Sequence, residues 1–290
     1  MKKTTGVALV TGASRGVGQG IAEALGATGM TVYVTGRSAK PGAQLFRGEA
    51  LHGTVFETAE AITAAGGHGI AVVCDHGDDE QVRALMARIE EEQGGLDILV
   101  NNALTIDDSL TEPGPFWSKP LSLVRMLDVG LRSSYVASYY AAPLLIRRKG
   151  LVVFTSSFGA GCYMHGPAYG AQKAGGDKMA SDMAVDFEPH EVTVVSLWLG
   201  MQLTQRSELA SKAHEGTYEQ FRQVAETPHF NGRLISALWR DPERQRLSGQ
   251  TLVSAELAQG YGVRDRDERQ PISWREQLGG PRPFHPARIG

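Results

Sequence analysis

A chain of 290 residues is long enough to form one large α/β domain or two small ones, and at that size it buries about three quarters of its surface without disulfide or metal staples. Hydrophobic residues make up 42% and charged residues 21%, which argues against wholesale disorder; a formal net charge of -3 lacks the basic footprint of a nucleic-acid-binding protein, so small molecules are the expected partners. No run approaches the roughly 18 apolar residues of a membrane helix, and the widely separated Cys74 and Cys162 read as reduced, buried small hydrophobes.

In chain order, residues 6–11 read as a buried strand. Lys2 and Lys3 ahead of it could imitate a signal peptide, but the apolar stretch is short and runs straight into a glycine loop, so a cytoplasmic location is expected. A helix with apolar Val17, Ile21 and Leu25 follows and ends near Gly29. Then come strand 31–35, helix 55–65, strand 69–74, helix 80–93 and strand 96–100. A helix over 121–147, strand 151–154, helix 167–187 and strand 192–197 complete the series. The strict alternation predicts right-handed crossovers and an α/β fold: a single-domain Rossmann-type doubly wound parallel sheet with helices on both faces. That domain is expected to span 1–263, with 264–290 as a C-terminal tail. Within the tail, 264–269 alternates in sign and reads as a solvated surface, while 279–283 is expected to lack regular structure. Residues 38–53 form an insertion, and 201–231, which mixes helix formers with apolar side chains, reads as a mobile substrate cover.

Two motifs carry chemistry. Gly12, Gly16 and Gly18 follow a strand and open a helix, the setting in which backbone amides approach a pyrophosphate at a helix N-terminus; alone, such a loop could be only a tight turn. Tyr169 and Lys173, four apart, share one helical face, so the ammonium can sit near the phenol and ease its ionisation. Alone, such a pair is more often an exposed surface pair; with the loop upstream it indicates a nicotinamide-dependent redox enzyme. After the second strand, where an NAD enzyme presents an acid to the ribose, stands Arg37, which with Arg15 suits a 2′-phosphate and points to NADP(H) over NAD(H), unless both arginines face water. The 38–53 insertion then falls near the adenosine end of the cofactor. The eight histidines, His214 among them, show no paired ligand spacing, so no metal is expected.

From the glycine loop through Asp75, Asn101-Asn102-Ala103, Ser156-Ser157, Tyr169 and Lys173, residues 5–260 resemble the short-chain dehydrogenase/reductase family. Within it, Val129-Gly130-Leu131-Arg132, Ser196-Leu197-Trp198 and Ala255-Glu256-Leu257-Ala258 are similar to the branch that contains dehydrogenase/reductase member 1. The resemblance implies that Gly12, Ser14, Arg15, Gly16, Val17 and Gly18 form the phosphate loop, that Arg37 meets the ribose phosphate and that Asp75 meets adenine. It further implies that Asn101 supports the nicotinamide half and that Thr204 contacts the carboxamide. Tyr169 would be the acid/base, and Lys173 would hold the nicotinamide ribose and lower the tyrosine pKa. Strand alignment makes Ser157 the serine that polarises the substrate oxygen, whereas the family's usual spacing selects Ser156.

The chain departs from the family pattern at Gly130, where an asparagine is usual, at Leu199 in place of proline, at Leu104 in place of glycine, and in lacking the C-terminal glycine pair. Tyr163, Met164, His165, Phe116 and Trp117 either face a medium-sized carbonyl compound or alcohol or serve loop packing or a subunit contact. The expected function is an NADP(H)-dependent carbonyl reductase or alcohol dehydrogenase, by resemblance a homodimer or homotetramer. The alternative, motivated by Gly130 and Leu199, is a catalytically weak NADP-binding sensor or interaction protein.

Overall fold

The computed structural model describes residues 6–212 and 217–289; Lys2, Lys3 and His214 lie outside the described residues. Strands β1 (Val7–Val10), β2 (Thr31–Gly36), β5 (His68–Val73), β6 (Ile98–Asn101), β7 (Leu151–Ser157), β8 (Thr193–Leu199) and β9 (Thr251–Val253) form one seven-stranded parallel sheet in the order β5-β2-β1-β6-β7-β8-β9. Short β3 (Gln44–Phe46) and β4 (Glu49–Leu51) pair antiparallel as a separate hairpin inside the 38–53 insertion. The strand order reverses between β1 and β6, and this is where doubly wound sheets open a crevice at their C-terminal edge.

Side-chain alternation builds the two helix layers. Ala8, Val10, Ile98, Val100, Leu151 and Val153 face a core shared with α1 (Gly16–Gly26), α2 (Val55–Ala64), α8 (Pro228–Arg240) and α9 (Ser254–Tyr261). Leu9, Leu99, Val152 and Phe154 face the other side, covered by α3 (Asp79–Gln93), α4 (Ser133–Arg148) and α5 (Pro167–Phe187). Caps set the boundaries: Thr54 accepts from the Glu57 amide, Asp78 accepts from those of Glu80 and Gln81, and Gly94 ends α3 with φ 69°. Pro167 opens α5, where its missing N–H costs nothing.

Three expectations change. The helix expected over 121–147 is broken into a 3-10 turn at Leu121–Val124, a π turn at Leu127–Arg132 and then α4; the Ser134 hydroxyl donates back to the Gly130 carbonyl within that bulge. The segment beyond 227 is core rather than cover, since α8 begins at Pro228 and buries Phe230, Leu234, Ile235 and Leu238. What remains of the cover holds α6 (Gln205–Lys212) and α7 (Thr217–Val224). Asp265, expected on a solvated surface, is buried and accepts from the Thr227 amide and hydroxyl, which ties the chain after α9 to the start of α8. Residues 279–283 carry no regular structure, as expected.

Candidate active site

A cleft of ≈ 1000 Å³ opens at the C-terminal edge of the sheet. At its floor the chain leaves β1 and turns at Gly12 with φ 65°, where a Cβ would lie 2.8 Å from the Ala103 Cα. A Cβ on Gly18 would lie 2.5 Å from both the Asn102 Nδ2 and the Gly12 carbonyl oxygen, so only glycine lets these two loops touch. The Thr11 hydroxyl accepts from the amides of Asn102 (2.8 Å) and Ala103 (2.9 Å), and the Asn102 Nδ2 donates to the Thr11 carbonyl (2.9 Å). Helix α1 starts with Arg15 at its N-cap, without a side-chain cap and without an acid in its first turn. Its leading N–H groups and positive dipole end are thus left for an anion.

Arg15 is committed to the insertion: its Nε donates to the His52 carbonyl (3.1 Å) and its Nη2 to the Ser38 hydroxyl and the Gly53 carbonyl (both 2.9 Å). Arg37 is freer, with Nη1 4.0 Å from the Asp75 carboxylate and both side chains well exposed. Burial lowers the Arg15 proton affinity, and the charges of Arg206 and Arg37 lower it further, so three guanidinium groups crowd one end of the cleft. Arg206 arrives from α6 and lies 4.8 Å over the Phe46 ring of the hairpin. Next to it, the Gln205 Nε2 donates to the Ala50 carbonyl (3.0 Å) and its Oε1 accepts from the His52 amide (2.8 Å). The inserted hairpin and the cover are thereby fastened to each other along the cleft.

At the other end, the Ser157 and Tyr169 hydroxyls are 2.9 Å apart. The Lys173 ammonium lies 5.5 Å from the Tyr169 ring centroid and donates to the Thr155 carbonyl (3.0 Å). Burial pushes the Tyr169 phenol up, and its bond with Ser157 opposes this. That direction is opposite to the lowered value inferred from the lysine, because desolvation outweighs the other influences on the phenol. Lys173, itself buried, is pushed down to about 8 by desolvation. The Ser156 hydroxyl faces inward, 3.4 Å from the Lys173 carbonyl.

Every expected catalytic and cofactor residue lines this cleft except Asn101, whereas Phe116, Trp117, Tyr163 and His165 line a separate pocket of ≈ 310 Å³ and Met164 packs against Phe158 and Trp198. Alternation along β6 puts Asn101 on the same face as Leu99, beneath α4, where its Nδ2 donates to the Ser138 hydroxyl (2.9 Å). Its neighbour Asn102 lines the cleft instead, a choice that strand period alone could have made. Cys162, expected to be buried, is half-exposed and acts electrostatically on Tyr169. Thr204 lines the wall near Gly16, its Cγ2 3.6 Å from where a Gly16 Cβ would sit, and the α6 backbone follows from it. Gln205, Arg206 and His76 were not anticipated: the first two meet the hairpin across some 150 positions of sequence, which no local pattern reports. His76 is buried with Nε2 on the Thr35 hydroxyl (2.8 Å), and burial pushes it down to about 4.

A nicotinamide dinucleotide fits these residues. The α1 N-terminus faces the cleft without a cap, and the buried Thr105 hydroxyl and His76 Nδ1, both in residues of the cleft wall, lack protein partners. Among known sequences, the model of the short chain dehydrogenases matches residues 6–215.

The chain belongs to the short-chain dehydrogenase/reductase family.

Human dehydrogenase/reductase SDR family member 1 is 38% identical over 275 residues, covering 91% of this chain and 84% of its own, and the mouse protein is 37% identical over the same shares. A protein of Xanthomonas campestris assigned as a dehydrogenase superposes with a TM-score of 0.74 at 25% identity, covering 89% of this chain and 90% of its own. Membership in the short-chain dehydrogenase/reductase family makes the chain an oxidoreductase that uses a nicotinamide cofactor and a small-molecule substrate. Among the described residues, no helix is long and apolar enough to cross a membrane.

Proposed function

We propose that this short-chain dehydrogenase/reductase is an NADP(H)-dependent carbonyl reductase or alcohol dehydrogenase with Tyr169 as its acid/base. The observation that carries the reading is the 2.9 Å contact between the Ser157 and Tyr169 hydroxyls, at the end of the cleft that also holds Lys173. When bound, NADP(H) supplies or accepts the hydride. Tyr169 gives a proton to the substrate oxygen in reduction and takes it in oxidation, and Ser157 donates a hydrogen bond to that oxygen as charge develops. A phenol pushed up by burial stays protonated at neutral pH and is ready to act as the acid, which favours reduction there. Lys173 brings a positive charge beneath the ring and reaches toward the cofactor ribose. Arg37, half-exposed and only loosely held by Asp75, is the reader of the 2′-phosphate, and Arg15 adds charge beside it.

Family habit extends the proposal to a cytoplasmic homodimer or homotetramer acting on a carbonyl or alcohol of moderate size. The test is NADPH oxidation with a panel of aldehydes, ketones and diketones, comparing the native chain with Tyr169→Phe. Carbonyl-dependent turnover that the variant loses while still binding NADPH is the expected result. Binding without turnover in the native chain would instead identify a cofactor-binding sensor.

A further inference from the structure

Helix α5 carries a third buried ionisable residue on the face that presents Tyr169 and Lys173. Asp177 follows Lys173 by four positions, as Lys173 follows Tyr169, so the three side chains form one ladder along the helix. Asp177 is 5% exposed and faces β8, where its carboxylate accepts from the Ser196 hydroxyl (2.5 Å) and the Trp198 Nε1 (2.7 Å). The side chain of Ser156, the serine turned away from Tyr169, also favours the charged form. Burial pushes the Asp177 carboxyl up, and the hydrogen bonds from Ser196 and Trp198, together with the charge of Lys173, oppose this and favour the carboxylate.

We propose that Asp177 is a positioning residue that acts through Lys173: its carboxylate is the counter-charge that keeps the buried ammonium protonated beside Tyr169. The inference rests on the Tyr169 reading above. Lys173 is 8% exposed, and its ammonium donates to a neutral carbonyl, that of Thr155. Desolvation drives it toward the neutral amine, and the charge of Asp177 is what opposes this. The neighbouring elements add no competing charge: β7 contributes Thr155 and Ser156, β8 contributes Ser196 and Trp198, and the π turn contributes the Gly130 backbone. Tyr169, on the same helix, faces Cys162, Ser157 and the ring of His165, which burial and then the charge of Lys119 hold toward its neutral form, and among the described residues the one charge acting on Asp177 is that of Lys173. Ser196, Trp198 and Ser156 thus serve the reacting end of the cleft from behind, by stabilising a charge that never meets substrate.

The experiment follows the Lys173 side chain by NMR of lysine-13Cε-labelled protein, assigned with Lys173→Met, alongside the pH profile of carbonyl reduction. In Asp177→Asn the Lys173 midpoint moves down by at least one pH unit and the alkaline limb of kcat moves with it, a loss of about fivefold or more at pH 8 with near-native activity at pH 6. Asp177→Glu restores both. Should the Asn variant not fold, Trp198→Phe takes its place, since a carboxylate short of a donor is less fully ionised and the midpoint moves the same way. An unchanged Lys173 midpoint, or a loss of activity equal at every pH, would overturn the proposal. Failure of the Tyr169 reading would appear separately, as retained turnover in Tyr169→Phe, and the NMR midpoint does not depend on turnover.

Discussion

The Ser157 hydroxyl lies 2.9 Å from that of Tyr169, while the preceding residue on β7, Ser156, turns its hydroxyl toward the Lys173 carbonyl. Period-two alternation separates the two serines: one faces the cleft end that holds Tyr169, and the other faces the helix behind it. Ser157→Ala is expected to lower kcat by about a hundredfold or more, the usual loss when a donor to a developing oxyanion is removed, with NADPH affinity unchanged by fluorescence titration. Ser156→Ala should lose much less. Equal losses in the two variants would return the choice to the spacing argument that favours Ser156.

Arg37 is the guanidinium with least commitment to the protein, since Arg15 is bound by the Ser38 hydroxyl and two carbonyls. Charged hydrogen bonds contribute about 1.5–3 kcal/mol, so Arg37→Ala should weaken NADPH binding by about tenfold to a hundredfold and leave NADH binding within a small factor. Separate titrations of the two cofactors measure this directly; parallel weakening of both would remove Arg37 as the phosphate reader.

Glu226 gives a pH prediction whose sign follows from burial. Its carboxylate is buried beneath the Gly200 loop, accepts from the Gln202 Nε2 (2.8 Å) and the Gly200 amide (3.2 Å), and is pushed up from 4.5 to about 7 by desolvation. Between those values the native chain holds a proton that the unfolded chain has released, so this group makes stability fall as pH rises, by up to about 3 kcal/mol. Glu226→Gln removes that slope. His76, pushed down to about 4 from 6.5, has the reverse effect, losing stability as pH falls through that window, but it is common to both proteins. Thermal unfolding from pH 5 to 7.5 should therefore show the variant gaining on the native chain as pH rises; a constant difference would contradict the buried-carboxyl account.

Gln205 fastens the inserted hairpin to the cover through two hydrogen bonds, to the Ala50 carbonyl and from the His52 amide. Gln205→Ala removes both, and at about 1 kcal/mol each the release of NADPH should quicken by up to roughly thirtyfold in a stopped-flow displacement. An unchanged release rate would show that the hairpin does not restrain the cofactor.

The sheet and the glycine loop were legible because each is written locally: alternating apolar strands, glycines where backbones meet, a tyrosine and lysine on one helical face. The seventh strand was not, since Thr251–Val253 is too short to show a period. Nor was the π turn, where Gly130 breaks the expected helix; the choice of Asn102 over Asn101, by contrast, was open to strand period, since it hangs on which face of β6 each side chain takes. The hairpin and its attachment to α6 depend on residues remote in sequence, and Asp177 looks like any helical acid until β8 supplies its donors.

The carbonyl of Gly130 already has two suitors: the Gln172 Nε2 donates to it at 3.1 Å and the Ser134 hydroxyl at 2.9 Å. A Cβ at Gly130 would come within 2.7 Å of Gln172, so the amide occupies the room that a side chain there would need. With both lone pairs engaged, that carbonyl has none left to accept from a water. Under the proposed function Tyr169 would regain its proton from the mouth of the cleft, the side on which substrate enters, and product departure and reprotonation would share one passage.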